Sequence, residues 1–182
     1  MFLKRFFYFI AICSLLNACG KTESSVSDAD ISNEMASTEE VNFSSLQTIT
    51  DSSQKITLKV NGMFTVDEID SSNKSLTLLS RNQLDDAVIR VEHLGKLQVP
   101  SEQYFKQLAS MFQQQKTYND VRLGNVVDER MSYRFTYKVD EEKIKESCLA
   151  IVDGEELYSV CVQSFNLPFD AMDKYLSDVR LN

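Results

Sequence analysis

Cys148 and Cys161, the single histidine and acidic pairs such as Asp85-Asp86, Glu141-Glu142 and Glu155-Glu156 carry most of the side-chain chemistry in this chain. Cys148 and Cys161 flank Asp153-Gly154-Glu155-Glu156 inside the run Leu149 to Phe165. Gly at the first central position suits a two-residue type II′ turn. A turn centred on Gly154-Glu155 places Cys148 directly opposite Cys161. The two then form a non-hydrogen-bonded pair with Cα atoms about 4.5 Å apart, near the short end of the disulfide range. A structural disulfide is therefore expected, worth about 3 kcal/mol or less for so short a loop. Two reduced, half-buried thiols on adjacent strands are the alternative. A redox-active pair is disfavoured, because the chain has no Cys-x-x-Cys.

The remaining candidates point to no catalysis. His93 is the only histidine, and at the end of a predicted strand it reads as a capped or packed residue. One histidine excludes a two-histidine zinc motif, and the cysteines are better explained by each other, so no metal site is expected. Gly-x-Ser-x-Gly, Walker and Gly-x-Gly-x-x-Gly patterns are absent. Asp85-Asp86, Glu141-Glu142 and Glu155-Glu156 fall in predicted turns, where acidic pairs usually solvate a loop. A glycosidase pair needs only spatial proximity of two carboxylates, and it stays formally open. The chain is read as a non-enzyme with no cofactor. Tyr133, Phe135 and Tyr137 alternate with polar residues and form a candidate apolar groove; lining a sheet–helix core is the favoured role for them.

The N-terminus addresses the protein to a membrane. Lys4 and Arg5 precede the apolar run Phe6 to Leu16, which is too short for a stable transmembrane anchor. Residues 1–18 read as a secretory signal peptide. Leu16-Asn17-Ala18-Cys19 resembles the lipobox of bacterial lipoproteins, with Asn17 a less usual filler. That resemblance implies cleavage before Cys19, diacylation of its thiol and acylation of the new N-terminus. Two or more acyl chains make a stable anchor. The mature protein is thus expected on a membrane, facing the periplasm in a Gram-negative cell. Gly20 stands where an inner-membrane retention Asp would, which favours the outer membrane, while Lys21 resembles a retention pattern of some bacterial groups and keeps the inner membrane open. An oxidising periplasm permits the Cys148–Cys161 bond. Losing Lys4 and Arg5 takes the formal charge from −8 to −10. Nucleic acid is excluded as a partner, since it requires a basic footprint.

Behind these residues stand a tether and one domain. Residues 19–54 comprise the lipidated Cys and a stretch rich in Ser, Thr, Asp and Glu, with too few apolar groups to offset the entropy of ordering. Residues 55–182 are long enough for a core of their own. Ile56 to Val60, Ser75 to Ser80, Ala87 to Leu94 and Tyr133 to Val139 alternate with period two and predict strands, and Asn61-Gly62 marks a turn. Pro100-Ser101 opens a predicted helix with Ser101 as N-cap; Tyr104, Phe105, Leu108, Ala109, Met111 and Phe112 make its apolar face. A second helix begins at Pro168, lined by Phe169, Met172, Leu176 and Val179. The fold class is α+β, a mainly antiparallel sheet packed by two amphipathic helices.

A lipobox Cys, a polar tether, a strand at 56–60, a strand at 87–94, a long helix, a three-strand meander and a Pro-started final helix follow in that order. With the closing pattern CLAIVDGEELYSVCVQSFNLPFDAMDKYL, the order resembles the DcrB-like periplasmic lipoproteins within the PsbP-like α+β sandwich group. Asn61-Gly62 departs from the Leu-Pro-like turn of many members, and the cysteine pair is peculiar to this chain. The resemblance implies a non-enzymatic envelope factor that acts by binding or assembly, with no catalytic residue to carry over. An immunity lipoprotein that neutralises a periplasmic toxin and a lipid or small-ligand carrier are the alternatives. An envelope protein partner is expected, besides the membrane reached through Cys19.

Overall fold

Strict alternation builds the main sheet. The computed structural model describes residues 46–182, so the signal peptide, Cys19 and the tether up to residue 45 lie outside the described residues. The elements run β1 (Leu46–Thr50), β2 (Ile56–Asn61), β3 (Thr65–Val66), β4 (Leu76–Asn82), β5 (Ala87–Lys96), α1 (Ser101–Gln114), β6 (Asn119–Val127), β7 (Arg130–Val139), β8 (Glu142–Asp153), β9 (Glu156–Ser164), α2 (Phe169–Leu176) and β10 (Val179–Leu181). Seven strands form one antiparallel sheet in the order β3-β4-β5-β9-β8-β7-β6, and β1-β2-β10 form a small second sheet. The expected α+β class holds.

Each face of the large sheet is covered by a different layer. On one face Ile89, Val91, Ile151, Val160 and Val162 meet Ile56, Leu58 and Val60 of β2, Val179 of β10, and Met172 and Tyr175 of α2. On the other, Met131, Ala150, Val152 and Leu157 receive Phe105 of α1, with Tyr104 and Leu108 beside it. Strands β8 and β9 are buried along most of their length, because they lie centrally between these two layers.

The turn at Gly154 adopts positive φ (59°), and Glu155 does not, as a type II′ turn requires. Asp153 then pairs with Glu156 and Cys148 with Cys161. At Gly124 a Cβ would sit 2.2 Å from Ser132 Oγ on the neighbouring strand, so a side chain there requires the Ser132 hydroxyl to move.

Four sequence expectations are corrected. The tether does not extend to residue 54, because Leu46–Thr50 already pair with β2. Ile49 buries itself in the core, and the Gln47 amide both accepts from Phe64 N (2.8 Å) and donates to Phe64 O (2.9 Å). Val179 is not on the second helix, which ends at Leu176; it sits in β10 opposite Leu58, where the free side of β2 offers backbone partners. The meander after α1 has four strands rather than three. Its extra member, β6, shifts register between Asn119 and Arg122 and again between Leu123 and Val126, which destroys the period-two signal. Ser101 does not cap α1. It is the first helical residue, and its hydroxyl donates to Glu129 Oε1 at 3.0 Å.

The β1–β2 connection closes around one carboxylate. Asp51 is 2% exposed and accepts from Ser53 N (3.3 Å), Lys55 N (2.8 Å), Ile56 N (2.8 Å) and the Ser53 hydroxyl. Burial alone would raise this carboxyl, but the hydrogen bonds from Ser53 and Ile56 outweigh it and hold it below its ordinary value. Asp51→Ala is expected to cost about 2 kcal/mol at neutral pH, read from denaturant melts. A depressed carboxyl stabilises above its unfolded pKa and stops doing so as pH falls through the folded value. The gap between wild type and variant should therefore narrow below about pH 4.

Candidate functional site

The face beneath α1 carries the polar groups that the fold has gathered. Cross-strand pairing lines up Arg90 (β5), Cys161 (β9), Cys148 (β8), Tyr133 (β7) and Leu123 (β6) in one row. Directly opposed residues share a face, so all five project toward α1. The sequence dictates this locally: Arg90 sits between Ile89 and Val91, which the opposite core takes.

Cys148 and Cys161 are joined by a disulfide with Cα atoms 4.1 Å apart. They are 1% and 4% exposed. Glu146 Oε1 lies 3.6 Å from Cys148 Sγ and accepts from Arg90 Nη2 at 2.5 Å. Glu92 Oε2 flanks Arg90 Nε at 4.0 Å. Ser159 Oγ is 3.3 Å from Cys161 Sγ and 3.2 Å from the Tyr133 hydroxyl. Burial pushes the Glu146 carboxyl above its ordinary value, with Arg90 pulling it down, Glu92 pushing it up and a hydrogen bond from Tyr137 opposing the rise. Arg90 feels the reverse: burial lowers it, and the charges of Glu146 and Glu92 more than restore it. Burial also raises the phenols of Tyr133 and Tyr137.

The residues singled out from sequence fall as follows. Tyr133, Phe135 and Tyr137 do share a face, but the space above them is filled. Phe112 of α1 packs at 4.8 Å from Tyr133 and 5.2 Å from Phe135, and Tyr118 packs at 4.4 Å from Phe135 and 6.4 Å from Tyr137. His93 Nε2 meets Glu156 Oε2 at 2.7 Å, and its ring stacks on Tyr158 at 5.1 Å. Asp85 accepts from the Tyr175 hydroxyl (2.8 Å) and from Asn82 Nδ2 (2.9 Å). Asp86 gathers Phe165 N and Asn166 N, closing the loop before α2. Glu155 approaches Lys96 at 3.6 Å. These acids are spread around the sheet rather than converging. Cys19 lies outside the described residues.

Glu146, Cys148 and Cys161 place three potential metal-ligand atoms within 4.8 Å of one another. The set does not suit a cation. A thiolate is the ligand form of Cys, each sulfur is bonded to the other, and the Arg90 guanidinium occupies Glu146. An attacking thiolate must reach a sulfur to open a disulfide, and both cysteines are buried.

Sequence reasoning missed the Arg90–Glu146 pair. Its one visible sign is charge in otherwise apolar strand stretches, at Arg90 in AVIRVEHL and Glu146 in KESCLAIV. It also missed two hollows that flank α1 along β6. One of about 450 Å³ is lined by Phe112, Tyr118, Val121 and Leu123. The other, about 370 Å³, is lined by Phe105, Ala109, Leu123, Val126 and Met131.

Among solved structures the chain is similar to cyanobacterial PsbP (CyanoP) from Synechocystis sp. PCC 6803, with a TM-score of 0.53 over 81% of this chain and 99% of that one. The fold is PsbP-like. Identity is 12%, so the likeness concerns the path of the backbone. Neither protein-family models nor curated protein sequences match the chain. In this PsbP-like sandwich the Arg90–Glu146 pair sits on the helix-covered face of the large sheet.

Arg90→Met should cost about 3 kcal/mol at neutral pH, because Glu146 stays buried without its cation, and the Arg90→Met/Glu146→Met double variant should recover most of the loss. A raised carboxyl stabilises below its unfolded pKa and loses that contribution as pH rises through the folded value. The single variant raises Glu146 further, so its deficit in urea melts should be small near pH 4 and grow with rising pH.

Proposed function

We propose that this protein is a membrane-anchored, non-enzymatic binding or assembly-support factor of the cell envelope, held by acyl chains on Cys19 and facing the periplasm. The observation that carries the reading is the Leu16-Asn17-Ala18-Cys19 sequence behind a short apolar run. The PsbP-like fold supports it. Within the PsbP-like group, the DcrB-like lipoproteins are the proposed relatives. Among the described residues no helix is long and apolar enough to cross a membrane. The carrier alternative gains nothing from the Tyr133, Phe135 and Tyr137 groove, since Phe112 and Tyr118 occupy it. The immunity alternative has the acidic charge in its favour and no further observation.

The test is in vivo crosslinking of the lipidated protein with mass spectrometry of what it captures, beside a Cys19→Ser control and metabolic labelling with an alkyne fatty acid. The expected outcome is fatty-acid label on the wild type alone and one abundant envelope partner lost with the anchor. Unlabelled wild type sinks the anchor, and a labelled protein that captures nothing sinks the binding reading.

A further inference from the structure

Edge strands expose backbone donors and acceptors that another strand can satisfy. Among the described residues β6 closes one end of the seven-stranded sheet, and no strand pairs with its outer side. The opposite edge, β3, has only two residues. Val126 and Val127 are 50% and 62% exposed at the end of β6.

Side chains along this edge point at a helix. The double register shift turns both Leu123 and Val126 to the face of Tyr133 and Met131, their partners on β7. Phe105, Ala109 and Phe112 stand at helical i, i+4, i+7 spacing on α1, and the two hollows lie along the strip between helix and strand, sharing Leu123. An unpaired strand edge beside a helix–strand trough, lined by apolar side chains together with Gln113 and Gln115, is the geometry of β-augmentation, in which main-chain bonds give affinity and pockets for alternate side chains give specificity. The bulges shorten the regular stretch of β6, so backbone pairing alone is weak and the hollows must select the occupant. At the second hollow Glu102 and Lys106 offset each other at 2.6 Å, which leaves Glu129 on its border and Asp128 beside it in sequence as the acidic charge there.

We infer that β6 and α1 form a docking groove for an extended segment of a partner protein. That segment pairs with the outer edge of β6, seats apolar side chains in the two hollows and carries a basic residue opposite Asp128–Glu129. The inference deepens the binding reading above and rests on it.

The test selects a phage-displayed library of random 12-residue peptides on the full chain. Winning peptides are expected to carry alternating apolar residues and a Lys or Arg. A synthetic winner should bind wild type and Val66→Lys, a control on the opposite edge, equally well, and Val126→Lys at least tenfold more weakly. With wild type alone, the bound peptide should slow amide hydrogen exchange across residues 119–127, a readout independent of how Val126→Lys folds. Three results overturn the groove: no selected peptide, a winner that leaves exchange in β6 unchanged, or a concentration-dependent dimer in sedimentation that Val126→Lys abolishes, which makes a second copy the occupant. If Val126→Lys still captures the crosslinked envelope partner, the groove fails while the binding reading stands.

Discussion

The register between β8 and β9 is the constraint on which the rest of the domain depends. Side chains alternate strictly along a strand, so a slip of one residue sends every side chain to the other face. Gly154 sets that register by accepting positive φ, and Cys148 meets Cys161 only in that register. The same choice sends Ile151, Val160 and Val162 toward α2 and the small sheet, and Ala150, Val152 and Leu157 toward α1. The covalent bond lies in the middle of the pairing it records, and it holds two strands buried on both faces.

Burial on both faces leaves no wet side for polar residues, and the structure answers each one. Ser147 donates to Asp173 of α2 at 2.5 Å. Ser159 reaches the Tyr133 hydroxyl, and Glu146 takes Arg90. On the α2 face, Arg134 lies 5.0 Å over the Phe169 ring and contacts Asp170 and Asp173 at 3.4 and 3.2 Å. Among the described residues no fully buried side-chain polar atom is left without a partner. A buried ion pair adds little net stability over an apolar substitute. Arg90–Glu146 is therefore better read as a device that disfavours wrong pairings of β5, β9 and β8 than as a source of strength.

Legibility in the sequence followed the range of the interaction. The hairpin around Gly154 and the opposition of Cys148 and Cys161 were readable because a two-residue turn determines them locally. The apolar stripe of α1 was readable for the same reason, through its 3.6-residue period. Arg90 and Glu146 were not, because 56 residues separate them and each alone looks like an ordinary polar strand position. β1 hid in a Ser- and Thr-rich stretch whose one buried apolar anchor is Ile49. β6 hid because two bulges erase the alternation that marks a strand. Tyr133, Phe135 and Tyr137 stand together in the sequence pattern, but only the fold reveals that Phe112 and Tyr118 close over them.

The small sheet joins the two ends of the described chain. β2 lies between β1 and β10, and the last residue, Asn182, donates its backbone N–H to Lys55 O at 3.0 Å and its side-chain amide to Gln54 O and Thr57 Oγ1 at 2.9 and 2.8 Å. β2 thus needs a strand from the far end of the described chain before its hydrogen bonding is complete. Loop closure over nearly the whole domain makes such a contact late and slow. Without β10, β2 has an open side and the layer over Ile56 and Leu58 lacks Val179. A chain cut just before β10 would therefore lose the closure of that sheet rather than a dispensable tail.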